Sequence, residues 1–372
     1  MILRAKTKYL FDKFSLSEEQ KRNSELNLRE IEKGITHLES FPRRLVFELT
    51  NACNLHCIMC GRESRKFTPT FFQLEWLETL APALEKTEEA ALFGWGEPTV
   101  HPHFSEILRT LDQYPLRKYF CTNGMRLDML MDAIFEHHVD IIAISLDGAN
   151  AETNNRIRAG GDFDRIVASL RRIVQQRNNL GIKTPYLNFV FCMMESNYHE
   201  LPDMVRLAAD IGLDEVKAVY FTSFAKELAH ECLWDKRDKV ARIFEETEKL
   251  AEDLGIIIKL PYLPGEDPAG NNFHRECFVG WRDLFLGSDG YVRPCMSTPD
   301  KFFRFTDFHN FDAIWNHLRM QEFRRVVNDK EHMPNACRHC YQSSHCNWNR
   351  KESFYQMNEN FAPEWEGFPA KI

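Results

Sequence analysis

Residues 45–61 read LVFELTNACNLHCIMCG, and this stretch decides the fold. Its first part alternates apolar residues with others, which predicts a β-strand. Cys53, Cys57 and Cys60 then follow at the spacing Cys-x3-Cys-x2-Cys. They lie on the loop that leaves the carboxyl end of the strand, where α/β sheets and barrels place their chemistry. Thiolates are soft ligands that select iron-sulfur clusters or zinc, so the loop is a predicted metal centre.

Zinc and an iron-sulfur cluster make different demands on this loop. A structural zinc site is closed by four ligands in a tetrahedron, and His56 is the nearby candidate for a fourth ligand. A [4Fe-4S] cluster can instead be held through three of its irons, one for each cysteine, which leaves the fourth iron open to another ligand. The spacing favours the cluster, with a structural zinc knuckle as the alternative.

A second motif, GWGEP at residues 94–98, extends this interpretation. Together with CNLHCIMC it makes the chain resemble the radical S-adenosylmethionine (SAM) enzymes. The resemblance implies a partial (β/α)6 TIM-like barrel, a [4Fe-4S] cluster on the three cysteines, and SAM bound to the open iron through its amino and carboxylate groups. In that family an electron from the cluster cleaves SAM to a 5′-deoxyadenosyl radical, which abstracts hydrogen from a substrate.

The resemblance also implies a set of cofactor-binding residues. Met59 stands where the family often carries an aromatic residue, and its thioether can pack on the adenine. The GWGEP backbone is expected to bind the SAM amino group, because glycine permits a close approach, and Arg158 is expected to pair with the SAM carboxylate. Thr122, Ser145 and Asp147 have an alternative, since such residues favour turns without any ligand. The full expected set is Met59, Gly94, Trp95, Gly96, Glu97, Thr122, Asn123, Ser145, Asp147, Arg158 and Asn188.

Composition limits the function further. The 372 residues are 44% apolar, enough for a sizeable core, and carry a net charge of −8 without a basic block, which disfavours nucleic acid as a partner. There is no apolar run of about 18 residues, so no membrane-spanning helix is predicted. Most of the eleven cysteines stand in metal-like spacings and no signal peptide opens the chain, which favours a reducing compartment, so we expect a cytoplasmic protein.

Short apolar runs alternate with helical patterns from residue 44 onward, which predicts βα units and a parallel sheet. Six such units match the partial barrel that the resemblance implies. Before them, Ser15 or Ser17 is expected to cap one or two solvent-facing helices that pack on the barrel. A later helix near 235–254 is expected to end at Gly255. The six strands are expected near 44–50, 89–95, 118–122, 140–146, 186–192 and 215–221.

A second set of cysteines follows a segment rich in Pro, Gly, Asp and Asn that reads as a linker. WRDLFLGSDGYVRPC at residues 281–295 predicts a hairpin with its turn at residues 288–290. The set resembles the SPASM and twitch domains, with fewer cysteines than a full SPASM domain. That resemblance implies one auxiliary [4Fe-4S] cluster, with zinc in the same cage as the alternative. The expected ligands are Cys277, Cys295, Cys337 and Cys340, with Cys346 as a surplus or substitute ligand.

Cys192 and Cys232 are among the cysteines that stand outside both sets. Free cysteine is most simply a small buried apolar residue. The alternative is a catalytic thiol that returns hydrogen to a substrate radical, as in radical SAM epimerases. The expected domains are a helical extension over 1–43, the barrel over 44–260, the SPASM/twitch-type domain over 261–346 and an aromatic tail over 347–372.

The auxiliary cluster narrows the expected reaction. It can accept an electron when a substrate radical is oxidised, which gives dehydrogenation, or it can support epimerisation. By analogy with relatives that carry one auxiliary cluster, we expect a small polyol, sugar or nucleotide-sugar substrate, with a ribosomal-peptide (RiPP) maturase as the alternative. Flavodoxin or ferredoxin is the expected reductant. The rival from another class is a zinc-stapled binding protein without catalysis.

Overall fold

The structure is a computed structural model and describes most of the chain up to residue 337. The residues described are 16–62, 68–221, 223, 226–233, 235–261, 263, 277–295, 300–329, 331–334 and 337. Ser15, Cys340, Cys346 and the tail over 347–372 lie outside them. The predicted boundary at residue 260 stays a prediction, because residues 264–276 are also outside the described part.

Helix α1, Glu18–Glu32, opens the described chain. Ser17 caps it as predicted: the Ser17 hydroxyl accepts from the Gln20 amide at 3.2 Å, and the Gln20 side chain accepts from the Ser17 amide at 2.9 Å. This reciprocal arrangement is a capping box, which satisfies two amides that the first helical turn leaves without partners.

One side of α1 packs on the barrel, as the sequence predicts, and this side is polar. A polar stripe on that side is buried because its donors and acceptors meet backbone groups of the barrel and of the C-terminal region. The Gln20 side chain donates to the Thr87 carbonyl oxygen, and the Asn27 side chain donates to the Trp281 carbonyl oxygen, both at 2.8 Å. The stripe consists of Gln20, Asn23, Ser24, Asn27 and Glu30.

The strands form one large sheet and one small ribbon. The strands are β1 Arg44–Phe47, β2 His56–Cys57, β3 Glu89–Leu92, β4 Arg117–Thr122, β5 Ile141–Ser145, β6 Arg158–Ala159, β7 Tyr186–Met193, β8 Glu215–Tyr220, β9 Ile257–Lys259, β10 Asp283–Leu286, β11 Tyr291–Arg293 and β12 Phe303–Arg304. The large sheet has the order β12-β11-β10-β1-β3-β4-β5-β7-β8-β9, and β2 pairs with β6 in the ribbon. All neighbours from β10 to β9 in that order are parallel. The six predicted strands and the partial (β/α)6 barrel are confirmed.

Helices cover the outer face of this sheet. They are α2 Trp76–Leu84, α3 Phe104–Leu111, α4 Met131–Glu136, α5 Ala151–Ile157, α6 Phe163–Asn179, α7 Leu201–Ile211, α8 Arg237–Leu254, α9 Val279–Arg282, α10 Phe311–Trp315 and α11 Leu318–Val326. Helix α8 ends at Gly255 as predicted, with φ +69°, a left-handed conformation that glycine adopts without strain. None of the helices in the described ranges is long and apolar enough to cross a bilayer.

Alternate strand residues build two separate apolar layers. Leu45 and Phe47 point to the helices and belong to the large core, whereas Val46 lies on the opposite face, inside the barrel. Burying one such large side chain stabilises the fold by about 1.5–3 kcal/mol. The smaller interior cluster consists of Val46, Ala91, Tyr119, Ile141, Ala143, Tyr186 and Phe285.

The predicted hairpin over residues 281–295 is confirmed as β10 and β11, with Gly290 at φ +81° in its turn. Its placement was not predicted, because β10 pairs parallel to β1 and extends the barrel sheet. A buried ion pair between Arg44 and Asp283 fixes the register at the first pair of this ladder. Although burial alone would raise the pKa of the Asp283 carboxyl, Arg282 and Arg44 hold it well below its ordinary range.

Candidate functional site

The cysteine loop begins at the carboxyl end of β1 and is held in its middle by the small ribbon. Cys57 of β2 lies directly opposite Arg158 of β6. The Ile58 amide donates to the Ile157 carbonyl oxygen and the Cys60 amide donates to the Cys57 carbonyl oxygen, both at 3.0 Å. Cys57 is buried and the other two cysteines are half-buried. The local backbone therefore presents three thiols from a loop anchored on the sheet.

The environment of these thiols fits a bound metal cluster. Burial raises the pKa of the Cys57 thiol to about 11 and also raises the pKa of the Cys53 thiol. A thiolate at such a position needs nearby positive charge, which a bound metal supplies. Within the described ranges, no three His, Cys, Asp or Glu side chains converge as a single ion would require. Three thiols on one loop match the ligands that a [4Fe-4S] cluster with one open iron would take, one for each of three irons.

The GWGEP segment packs against the start of this loop. The Glu97 amide donates to the Ala52 carbonyl oxygen at 2.8 Å. A Cβ atom at Gly96 would overlap the Ala52 and Thr50 carbonyl oxygens, and one at Gly94 would overlap the Glu48 side chain. Glycine is therefore required at both positions for the two segments to approach each other.

Glu97 joins GWGEP to the end of β4. Its buried carboxylate accepts from the Thr99 and Thr122 hydroxyls at 2.6 Å each and from the Asn123 amide at 2.7 Å. Burial raises the pKa of this carboxyl, and the hydrogen bonds from Thr122 and Thr99 oppose that rise. The Thr122 hydroxyl also accepts from the Gly124 amide at 3.1 Å. Glu97 and Thr122 therefore both form hydrogen bonds within the chain, as expected if Thr122 stabilises a turn without contacting a ligand.

Asn123 and Ser145 reach the site from neighbouring strand ends. The Asn123 side chain donates to Asn54 Oδ1 at 2.8 Å and lies 3.9 Å from Cys53 Sγ. The Ser145 hydroxyl lies 3.4 Å from the Cys121 thiol. Asn123 therefore contacts the cysteine loop directly, whereas Ser145 contacts the thiol of Cys121 on the neighbouring strand.

Asp147 and Arg158 form a buried ion pair next to the loop. Arg158 Nε lies 2.7 Å from Asp147 Oδ2, and Asp147 Oδ1 accepts from the Cys192 amide at 2.8 Å. Burial raises the pKa of Asp147, and the Arg158 charge opposes that rise. Although burial alone would lower the pKa of Arg158, the Asp147 charge raises it. The pair connects the cysteine loop to the ends of β5 and β7.

The barrel interior carries a half-buried belt at its carboxyl end, which we call the interior belt. Its members occupy inward strand positions whose outward neighbours are fully buried. Cys192 belongs to it, whereas Cys232 is 2% exposed in the large core, as expected for a packing residue. Cys121 was not predicted as a member of this group, although it lies two residues after the inward-facing Tyr119 on β4 and therefore on the same face of the strand. The belt consists of Cys121, Ser145, Val190, Cys192 and Val219.

Asn188 does not join this group. It lies near the amino end of β7, fully buried, opposite Glu215 at the start of β8. Burial raises the pKa of Glu215 to about 7, and its carboxylate accepts from the Tyr186 hydroxyl at 3.0 Å. The structure therefore places Asn188 at the opposite end of the strand from the cysteine loop.

The second cysteine set is described for three of its five members. Cys277, Cys295 and Cys337 are half-buried. The Cys277 amide donates to Asn328 Oδ1 at 2.7 Å, and the Asn328 side chain donates back to the Cys277 carbonyl oxygen at 3.3 Å. Cys295 follows β11 and packs against the interior cluster of the barrel. Cys277 and Cys295 are thus positioned by different parts of the chain.

One buried carboxylate links the two regions. Glu48 accepts from the Trp95 amide at 3.1 Å and from the Ser288 hydroxyl at 3.1 Å. Trp95 belongs to GWGEP and Ser288 to the hairpin turn. Sequence reasoning missed Glu48, because its contact with Ser288 joins residues 240 positions apart.

Comparison with known proteins matches both regions. The sequence profile of the radical SAM superfamily matches residues 47–208, and that of the SPASM iron-sulfur cluster-binding domain matches residues 277–341. SuiB of Streptococcus suis bound to S-adenosylmethionine superposes with a TM-score of 0.62 at 16% identity, over 91% of this chain and 81% of that one. That similarity supports the fold. The matched domains imply a SAM-binding [4Fe-4S] cluster and auxiliary cluster chemistry.

Three proteins of similar sequence carry informative names. The tungsten-containing aldehyde ferredoxin oxidoreductase cofactor-modifying protein of Pyrococcus furiosus is 26% identical over 68% of this chain and 70% of its own length. The mycofactocin maturase MftC of Mycolicibacterium smegmatis is 32% identical over 46% of this chain and 43% of its own. The antilisterial bacteriocin subtilosin biosynthesis protein AlbA of Bacillus subtilis is 25% identical over 74% and 60%. The chain thus spans less than two thirds of the last two.

Proposed function

This chain belongs to the radical SAM superfamily and carries a C-terminal SPASM domain, and from that premise we propose that it is a maturase of a ribosomally made peptide. The observation that carries the proposal is the pair of similar proteins named as a mycofactocin maturase and a bacteriocin biosynthesis protein. These names support the peptide alternative over the polyol, sugar or nucleotide-sugar substrate expected from the sequence. The substrate is therefore proposed to be a peptide side chain or backbone carbon.

Residues of the cysteine loop are proposed to hold the first cluster. Cys53, Cys57 and Cys60 would each bind one iron, and the loop's anchorage to β6 and to GWGEP fixes their positions. When bound, the cluster and SAM supply the one-electron chemistry that generates a hydrogen-abstracting radical. The chain itself provides a loop against which GWGEP packs closely, because a side chain at position 94 or 96 would overlap neighbouring atoms.

The SAM molecule is proposed to lie between the strand ends. Arg158 is the candidate partner of its carboxylate, because a guanidinium can hold a carboxylate through two parallel hydrogen bonds. The backbone at Gly94, Trp95 and Gly96 is the candidate for its amino group, and Met59 and Asn123 are candidates for further contacts. Asn188 has no place in this proposal, since it lies at the other end of β7.

The substrate is proposed to reach the interior belt. This belt is the half-buried part of the barrel interior, and its thiols and hydroxyl face the same space. Cys192 is the candidate to return hydrogen to a substrate radical, and burial, which raises the pKa of its thiol well above the ordinary value, keeps it in the S–H form that such a donor needs. Electron transfer to the second cysteine set, with flavodoxin or ferredoxin as external reductant, would instead complete a dehydrogenation.

Two substrate pools distinguish the proposed function from its competitor. The reconstituted protein is incubated with SAM and dithionite, once with a mixed pool of synthetic peptides and once with a pool of polyols, sugars and nucleotide sugars. A substrate is expected to raise 5′-deoxyadenosine formation above the rate without substrate. Stimulation by the peptides, with a product of altered mass, supports the proposal, and stimulation by the carbohydrates alone contradicts it.

A second candidate is modification of a non-peptide cofactor. It is favoured by the Pyrococcus furiosus protein, whose name describes a cofactor-modifying protein and whose aligned region covers 68% of this chain. It shares the radical chemistry of the first candidate and differs in the molecule that occupies the interior belt. In the pool experiment, it predicts no stimulation by peptides.

A further inference from the structure

The ion pair of Arg158 and Asp147 lies beside a cluster ligand. In the two-stranded ribbon, Cys57 and Arg158 are direct cross-strand partners. Side chains at such positions project to the same face of the ribbon, with Cβ atoms about 4.5–5.5 Å apart. The residue opposite Cys57 is thus a cation, whereas the residue opposite His56 in the other pair of the ribbon is the uncharged Ala159.

The position of the Arg158 charge is fixed by its surroundings. Arg158 is 9% exposed, and its Nε lies 2.7 Å from Asp147 Oδ2. Asp147 is fully buried and is held in turn by the Cys192 amide on its side chain and by Asn154 Oδ1, which accepts from its amide at 3.1 Å. The guanidinium therefore cannot swing away from the ribbon without breaking a buried ion pair, which is costly.

The two charges differ in their placement relative to Cys57. Arg158 is the direct partner of Cys57, whereas Asp147 contacts the guanidinium through Nε and follows β5. Among the described residues, Asp147 is the one ion-pair partner of Arg158. A charge in a buried site acts strongly because the local dielectric constant is low. Net charge near a cluster is one of the factors that set its reduction potential.

We propose that the Arg158–Asp147 ion pair tunes the reduction potential of the cluster on the cysteine loop. Reduction adds one negative charge to the cluster. The Arg158 charge favours the reduced form, and the Asp147 charge opposes it. Both are positioning residues in this role, since they act on the cluster through Cys57. The role goes beyond the proposed function, because it holds for any substrate, and it is separate from a contact of Arg158 with the SAM carboxylate.

The test is a reductive titration of the first cluster without SAM, followed by electron paramagnetic resonance. Full-length protein carrying Cys277→Ala and Cys295→Ala is the background, so that the cluster on the cysteine loop gives the signal. Arg158→Met, Arg158→Lys, Asp147→Asn and the double variant Asp147→Asn with Arg158→Met are compared. Iron content is measured for each, and the reduced fraction is expressed per cluster present.

Opposite shifts are expected from the two charges. At the potential where the reference cluster is half reduced, Arg158→Met should lower the ratio of reduced to oxidised cluster about tenfold, which is 59 mV for one electron. Asp147→Asn should raise that ratio, and the double variant and Arg158→Lys should lie closer to the reference than either single neutralisation. A purely structural role does not predict opposite signs.

Shifts of the same sign for Arg158→Met and Asp147→Asn, or no shift in either, would overturn the proposal. Should Arg158→Met fail to hold a cluster, the Asp147→Asn variant still decides the matter, because an unchanged or lowered reduced fraction contradicts it. SAM affinity, measured separately by equilibrium binding, reports the carboxylate contact. Loss of SAM binding with an unchanged potential would retain the proposed function and remove this inference.

Discussion

The two cysteine sets are built in different ways. The first occupies eight residues of one loop, from Cys53 to Cys60, and its geometry comes from a strand end, a two-stranded ribbon and the glycines of GWGEP. The second is spread from Cys277 to Cys337 among the described residues, and Cys277 and Cys295 are positioned by different parts of the chain. A compact motif carries its own geometry, whereas a dispersed set depends on how the chain folds back on itself.

The strongest test of this contrast is removal of one thiol from the first set. Cys53→Ala, Cys57→Ala or Cys60→Ala should reduce 5′-deoxyadenosine formation to the level of a reaction without protein, because each thiol is proposed to bind a different iron. Cys232→Ala is the matched control, since Cys232 is a thiol in the large core of the same chain, outside both cysteine sets. The control should keep its iron and its activity. Cleavage of SAM by any of the three loop variants would refute the assignment.

Removal of a thiol from the second set should have a more limited effect. Cys295→Ala should remove about four irons, those of one [4Fe-4S] cluster, and leave 5′-deoxyadenosine formation detectable. Cys232→Ala is the control, because Cys232 is buried in the large core outside both sets. Iron content measured on the two variants in parallel decides the result. Equal iron in Cys295→Ala and the unmodified protein would contradict an auxiliary cluster at this site.

The same contrast explains what the sequence predicts. All six barrel strands and the hairpin were predicted, because periodicity and turn residues are local signals. The docking of β10 on β1, the pairing of Cys57 with Arg158 and the link through Glu48 were not predicted. Each joins residues far apart in sequence.

The burial of particular polar side chains was also not predicted. Helix α1 was expected to pack on the barrel, but not through a polar side, which is buried because its amide side chains meet backbone carbonyl groups. Asn188 was expected among the cofactor contacts, yet it lies near the start of its strand. The strand predicted over 186–192 already placed Asn188 near its start, so position along the strand, and not residue type, excludes it from the contacts at the carboxyl end.

Glycine substitution compares the packing of the two regions. Gly96→Ala should lower the free energy of unfolding by about 1–3 kcal/mol, because the new methyl group overlaps two backbone oxygens that have little room to move. Gly290→Ala in the hairpin turn should cost about 1 kcal/mol, since its φ of +81° strains alanine while its nearest contact is 3.2 Å from a Thr306 methyl group. Urea denaturation of both variants measures the difference. A larger loss of unfolding free energy in Gly290→Ala than in Gly96→Ala would contradict the expectation that the cysteine-loop region is packed more tightly.

The first residues of β8 and β10 should respond to pH with opposite signs. The pKa of Glu215 is raised by burial to about 7 from an ordinary value of 4.5, so between these values the folded state keeps a proton that the unfolded state has lost. Stability from this group therefore falls as pH rises through that range. Asp283, with its lowered pKa, contributes stability that is lost on acidification instead.

Glu215→Gln isolates the smaller of these effects. It keeps an oxygen acceptor for the Tyr186 hydroxyl and removes the ionisation. The fall in the free energy of unfolding between about pH 5 and about pH 8, two values that bracket the shifted pKa, should therefore shrink by about 1–3 kcal/mol. Urea denaturation at the two pH values measures it. The Asp283 response lies below this range and should be unchanged. An identical pH dependence in the variant would show that Glu215 is ionised in the folded protein.

Iron and sulfide analysis of anaerobically reconstituted protein, combined with a 5′-deoxyadenosine assay under strong reductant, tests the two-site account most directly. The account predicts about eight irons and a matching amount of sulfide for each chain, together with 5′-deoxyadenosine. Colourless protein that binds zinc and forms no 5′-deoxyadenosine would contradict it, and both cysteine sets would then be structural staples.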